Sequence, residues 1–93
     1  MNGAAMRIDR WLWHARFFKT RSMATRLVSS GRLRLNRRRV TKSHGTLHPG
    51  DILTFPQNRR VRVIRVIAIS TRRGPAREAA ELYEDLAPPD CPA

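Results

Sequence analysis

The chain has 93 residues, 41% of them hydrophobic, which allows one small domain with a modest core and leaves no room for a second. Its formal net charge is +12 and unevenly spread: all nineteen Lys and Arg fall in residues 1–77, opposed only by Asp9 and Asp51, so that part carries +17, while residues 78–93 hold five acids and no base. No apolar run nears the roughly eighteen residues of a membrane span, residues 1–6 lack the pattern of a secretory signal, and the single Cys91 excludes an intrachain disulfide or a cysteine metal site, so a cytoplasmic protein is expected.

Residues 1–5 read as a frayed tail. From Ile8 to Phe18 the residues Ile8, Trp11, Leu12, Ala15 and Phe18 fall within a stripe about 120° wide, which predicts a helix with Trp13 and Phe17 on its other side. Thr20 suits the N-cap of a second helix, lined on one face by Met23, Ala24, Leu27 and Val28 and on the other by Arg26 and Ser29. Gly31 is the natural residue to leave it, because it enters the left-handed conformation without a Cβ clash. The two helices would meet at Lys19–Thr20 as a hairpin or a steeper corner.

After Gly31 the period changes from helical to two, and Leu33 and Leu35 alternate with Arg32, Arg34 and Asn36 as in a half-buried strand. Asn36 to Arg39 is expected to be the turn, with Val40 restarting an extended segment. Pro49-Gly50 suits a type II turn, Ile52 to Phe55 a strand, and residues 56–60 a hairpin connection. Residues 61–70, "VRVIRVIAIS", are β-branched on both faces and should form the most buried strand. Gly74-Pro75 opens a third helix, in which Ala79, Leu82, Tyr83 and Leu86 share a face and which Pro88-Pro89 ends. Its acids lean outward, so it would cover one sheet edge and partly balance the basic body.

The sequence holds no Gly-rich phosphate loop, no nucleophile elbow and no carboxylates paired for a shared cleft, and so reads as a binding module rather than an enzyme, with no cofactor. His44 and His48 have the spacing of half a zinc site, but nothing supplies the other ligands, so no metal is expected. His14 reads as a surface or boundary residue of the first helix.

What the sequence does hold is arginine. Residues 16–40 contain nine Lys or Arg, and over the whole chain Arg outnumbers Lys by seventeen to two. A body at +17 repels itself unless a polyanion is the usual partner. Nucleic acid leads as that partner and an anionic membrane surface follows. The guanidinium fork holds phosphate oxygens bidentately and stacks on bases, which an ammonium does not do. Arg10, Arg16, Lys19, Arg21 and Arg26 come from the helices and their corner, and Arg32, Arg34, Arg37, Arg38, Arg39 and Lys42 from the strand and turn that follow. Trp13 and Phe17 have two readings, stacking on an unpaired base or packing against the sheet or third helix; packing is favoured because exposed tryptophans are uncommon.

Residues 7–55 resemble the RNA-binding domain first named for the fourth protein of the small ribosomal subunit, the S-four or alpha-L domain. The motifs that carry the resemblance are "R-I-D-x-x-L" at Arg7 to Leu12, "K-T-R-x-x-A" at Lys19 to Ala24, "L-V-x-x-G-x-L-x-L-N" at Leu27 to Asn36, then Lys42 and "P-G-D-x-L" at Pro49 to Leu53. The stretches "DRWLWHARFFKTR" and "RRGPAREAAELYEDL" further resemble the bacterial ribosome-associated fifteen-kilodalton heat-shock protein family, which extends the similarity to about residue 86. The resemblance implies a stand-alone RNA binder of the free large ribosomal subunit, one that recognises subunits still carrying peptidyl-tRNA after stalled translation and aids their rescue under stress. Two departures stand out. The family's turn reads Asn-Gly where this chain has Asn36-Arg37, which leaves open whether the hairpin is the tight two-residue one or a wider turn that would splay three adjacent Arg, and some relatives carry a long basic tail where this sequence has an acidic helix and "PPDCPA".

The expectation is therefore an α+β fold in one domain, residues 1–93: a two-helix alpha-L unit, a small mixed or antiparallel sheet and a C-terminal helix. Residues 7–55 form the S-four-like core, 56–86 complete it, and 87–93 are a tail. Arg10, Arg16, Lys19, Arg21 and Arg26 would grip phosphates from the helix side. Arg34, Arg37, Arg38, Arg39 and Lys42 would follow the neighbouring strand, with Thr20 ordering the corner and Arg7, Arg32 and Asn36 completing the candidate set. The partner would be large-subunit ribosomal RNA, with contact to tRNA left open, weak DNA binding allowed, no membrane, and a monomeric chain. Two rivals are a DNA-binding regulator, whose second helix offers few residues suited to base edges, and an RNA-targeting module serving a modifying enzyme in trans.

Overall fold

The computed structural model describes residues 5–42, 45–57, 59–70 and 73–86. The expectations for Cys91, His44, the Pro88-Pro89 stop and the tail lie outside them. The architecture is α+β with antiparallel strands throughout. In chain order the elements are β1 (Met6–Arg7), α1 (Ile8–His14), α2 (Arg21–Ser29), β2 (Leu33–Leu35), β3 (Arg38–Val40), β4 (Thr46–Leu47), β5 (Ile52–Gln57), β6 (Arg60–Val66), α3 (Ala76–Ala80) and β7 (Tyr83–Asp85). A five-stranded sheet runs β3-β2-β5-β6-β7, and β1 pairs separately with β4. None of the described helices is long and apolar enough to cross a membrane.

The first helix is shorter than its apolar period suggests, and the reason is a left-handed stop. Arg16 takes φ 66°, its N–H donates to Trp13 O (3.1 Å), and the Phe17 N–H reaches back to Leu12 O (3.1 Å). That pair of bonds is a Schellman ending, usually built on glycine. It turns Phe17 inward, where the ring lies 6.0 Å from Trp11, 5.6 Å from Phe55 and 4.6 Å from Tyr83. Phe17 is therefore a core residue. The second helix follows its sequence signals: Thr20 Oγ1 accepts from Met23 N–H at 3.2 Å, Ala24 and Val28 are buried, and Gly31 leaves it at φ 80°.

The core lies between these helices and one face of the sheet. Ile8, Trp11, Leu12, Ala24 and Val28 meet Leu33, Leu53, Phe55, Ile64 and Val66. Alternation along β5 puts Leu53 and Phe55 inside, as the period-two rule requires. Strand β6 is not the most buried strand: Ile64 and Val66 are covered, but Val61 is 61% exposed and Ile67 beyond the strand 48%. Among the described residues no layer covers its outer face, so β-branched character here reflects pleat geometry rather than two-sided burial.

The third helix is a single short turn, and the periodicity over 79–86 instead serves β7. Leu82 O accepts from Ile67 N–H (2.8 Å) and Ala68 N–H (3.2 Å), and Tyr83 pairs with Val66. An extended segment here satisfies backbone groups that a bare β6 edge would leave open, which outweighs the helical pattern. His14, expected at the surface, is 2% exposed. Its Nδ1–H donates to Ser70 O at 2.9 Å, and Trp11 Nε1–H donates to Ala68 O at 2.9 Å, so α1 is tied to the segment after β6 by two buried polar bonds.

Candidate nucleic-acid interface

The corner between the helices is organised around a buried acid. Asp9 is fully buried and accepts from Arg7 Nε (3.1 Å) and Nη2 (2.8 Å) and from Thr25 Oγ1 (2.9 Å). Burial pushes its pKa up, but the hydrogen bonds from Arg7 and Thr25 and the Arg7 charge outweigh that and hold it below the ordinary carboxylate value. Arg7, a candidate contact by motif, thus has a structural role in locking α1 to α2. Arg16 is similarly engaged: its Nε donates to Gly74 O at 2.8 Å.

The β2–β3 turn stays tight. Leu35 pairs with Arg38, so only Asn36 and Arg37 lie between the strands, both left-handed at φ 52° and 81°. Of the two turns that Arg in place of Gly left open, the tight one is formed and the wider one is not. Asn36 explains why: its Oδ1 accepts from Ile52 N–H (2.9 Å), its Nδ2 donates to Asp51 Oδ1 (3.0 Å), and its N–H donates to Ile52 O (2.8 Å). Three bonds to the start of β5 hold the turn, and Arg37 adopts the glycine conformation. Asn36 is a structural residue of the site.

Arg10, Lys19, Arg21, Arg26, Arg32, Arg34, Arg37, Arg38, Arg39 and Lys42 are all exposed. On α2, Arg26 points away from buried Ala24 and Val28, and it lines an open cleft together with Arg32. Lys19 lines an adjoining hollow. Arg34 pairs directly with Arg39 and with Thr54, which puts all three on the sheet face opposite the core. Arg34 and Arg37 line a further hollow with Asn36, Ile52 and Thr54. The two groups meet at Gly31, where a Cβ would lie 3.7 Å from Arg39 Cδ, so the Arg39 side chain reaches the end of α2. Arg38, paired with Leu35, stands on the other face of the hairpin. Arg10 and Arg21 gather with Arg73 around His14. Burial chiefly lowers that imidazole's pKa, the Ser70 bond opposes the shift, and these three charges add to it.

Trp13 is part of the framework: Arg73 Nε donates to Trp13 O (3.0 Å), and the Arg73 guanidinium sits 5.5 Å from the centre of the Trp13 ring. Sequence reasoning missed Arg73 and Arg62 as structural cations. Arg62 bonds Gln57 Oε1 and Asp85 Oδ2, both at 2.9 Å, and lies 5.2 Å from the Phe17 ring centre. Its placement on the same sheet face as Phe55, read from the strand register, was the available signal. Met23 was also misplaced; it is 47% exposed rather than in the core.

A two-helix corner running into a tight hairpin, with arginines along both, defines a recognisable class. The S4 domain family model matches residues 6–53, and the chain belongs to that family. Proteins named heat shock protein 15 are among those it is similar to. That of Escherichia coli (strain K12) is 40% identical over 82 residues, 88% of this chain and 61% of the relative. The homolog from Haemophilus influenzae is 39% identical over 80 residues, 86% and 60% respectively. The chain thus spans about three fifths of the length of these relatives. A solved structure described as trimeric Vibrio cholerae heat shock protein 15 is 37% identical, covers 90% of this chain and 84% of its own, and superposes with a TM-score of 0.83.

Proposed function

We propose that this chain is a cytoplasmic RNA-binding protein of the ribosome, acting under stress. The observation that carries the reading is the run of exposed cations from Lys19 through Arg26 and Arg32 to Arg34, Arg37 and Arg39, laid along the two-helix corner and the hairpin of an S4 fold. Guanidinium groups fixed on short, rigid elements can follow two neighbouring phosphate backbones of a structured RNA without reading base sequence. Within this reading the RNA is that of the free large subunit carrying peptidyl-tRNA after stalled translation, and binding aids recycling of that subunit. Its support is similarity to proteins named for heat shock.

Sedimentation tests the finer part. Tagged protein added to extracts after heat shock is expected to travel with free large subunits and to be enriched on those retaining peptidyl-tRNA. Equal distribution among small subunits, large subunits and whole ribosomes would reject that assignment while leaving RNA binding intact.

A further inference from the structure

Between the helix corner and the start of β2 lies an open cleft of about 350 Å³, lined by Phe18, Met23, Arg26, Leu27, Ser30 and Arg32. The adjoining hollow, which Lys19 lines, shares Phe18 and Met23 with it. Met23 is 47% exposed, an apolar side chain left among cations. Ser30 Oγ is already engaged, donating to Leu27 O (2.6 Å) and accepting from Arg32 N–H (3.3 Å), so polar recognition in the cleft falls to Arg26 and Arg32.

The mixture of walls selects the occupant. A bare phosphate would make no use of Phe18, Met23 and Leu27. An apolar side chain from a protein partner would desolvate Arg26 and Arg32 with no counter-charge, which is costly. A group that is flat and apolar on its faces and joined to phosphates on both sides satisfies both halves. At the lower end of the roughly 300–1,000 Å³ typical of ligand clefts, the space is large enough to hold one such ring.

We propose that this cleft receives an unpaired nucleobase of the bound RNA, its face against Phe18, Met23 and Leu27 and its flanking phosphates on Arg26, Arg32 and Lys19. The proposal rests on the RNA-binding reading above and adds that the RNA presents a bulged or looped nucleotide there. Stacking of this kind tolerates any base, because each has the same apolar faces, so the cleft selects for an unpaired position rather than for sequence.

The test uses the full chain and two RNA duplexes at equal salt, one fully paired and one identical but for a single bulged 2-aminopurine. The bulged duplex is expected to bind about five- to tenfold tighter, a stacking-sized preference, with a change in 2-aminopurine emission. Met23→Ala, at an exposed position, should keep the melting temperature and duplex affinity but lose the preference. Equal affinity for both duplexes overturns the cleft assignment and leaves the RNA-binding reading standing. Failure to bind either removes both. A Met23→Ala variant that keeps the bulge preference but loses self-association by sedimentation overturns the proposal and gives the cleft to a second copy of the chain.

Discussion

Arg34 on β2 stands directly opposite Arg39 on β3, so two like charges face each other across a three-residue ladder. Like charges directly opposite are destabilising, on the scale of roughly 0.2–1 kcal/mol for cross-strand pairs. A polyanion bound across the outer face reverses that sign. Arg39→Thr is therefore expected to raise the melting temperature slightly and to weaken RNA binding. Thermal melts and a binding titration on the same variant check both halves, and a variant that loses stability would contradict the repulsion.

Arg37 repeats the trade in the backbone. A non-glycine residue at φ 81° carries strain of about 1–2 kcal/mol. Arg37→Gly should stabilise the fold by about 1 kcal/mol in denaturant titration while lowering RNA affinity, since the tight turn is already held by Asn36. The companion variant Asn36→Ala removes the two side-chain bonds, to Asp51 Oδ1 and from Ile52 N–H, keeps the backbone bond to Ile52 O, and should cost about 1–3 kcal/mol.

Arg26 separates binding from folding. It projects from the exposed side of α2, and surface substitutions of this sort usually change stability by less than about 0.5 kcal/mol. Arg26→Ala should leave the melting temperature in place and reduce the salt slope of RNA binding by about one phosphate's worth. Unfolding of that variant would mean that Arg26 holds the helix pair together.

His14 sets a mild-acid limit on stability. Burial, its main influence, disfavours the imidazolium and lowers its pKa from 6.5. The unfolded chain therefore binds this proton more readily, so the contribution is complete above about pH 6.5 and is lost as pH falls from there through the folded pKa. Asp9 follows at lower pH: its carboxylate is favoured in the fold, and that contribution disappears as pH drops below about 3.9 through its depressed value. Melting temperature should fall between pH 7.5 and 5.5, and His14→Asn, which keeps an N–H for Ser70 O, should flatten that fall. An unchanged pH profile in the variant would contradict the assignment.

The helix–helix–strand order, the Thr20 cap, the Gly31 exit and the turn at Gly50, which takes φ 97°, were legible because each rests on local chemistry: a hydroxyl for a free N–H, or a residue able to take positive φ. The errors arose where a non-local contact decided the conformation. The Phe17–Trp11–Phe55 cluster stops α1 by placing Arg16 in a left-handed state that no glycine announces. The Asn36 clamp onto β5 imposes the same state on Arg37. The apolar spacing of Ala79, Leu82 and Tyr83 fits both a helix face and a strand laid against β6, and the pairing of Val66 with Tyr83 chose the strand. Among the candidate contacts, sequence could identify the cations but not which were engaged internally. Arg7 on Asp9 and Arg16 on Gly74 O became visible only once the chain had folded.

The most direct test is the salt dependence of affinity for a large-subunit ribosomal RNA fragment, because the account requires phosphates to neutralise a chain of net charge +12. With roughly four to six phosphates engaged, log K should fall against log[salt] with a slope of about −3 to −5. A slope near zero would contradict it.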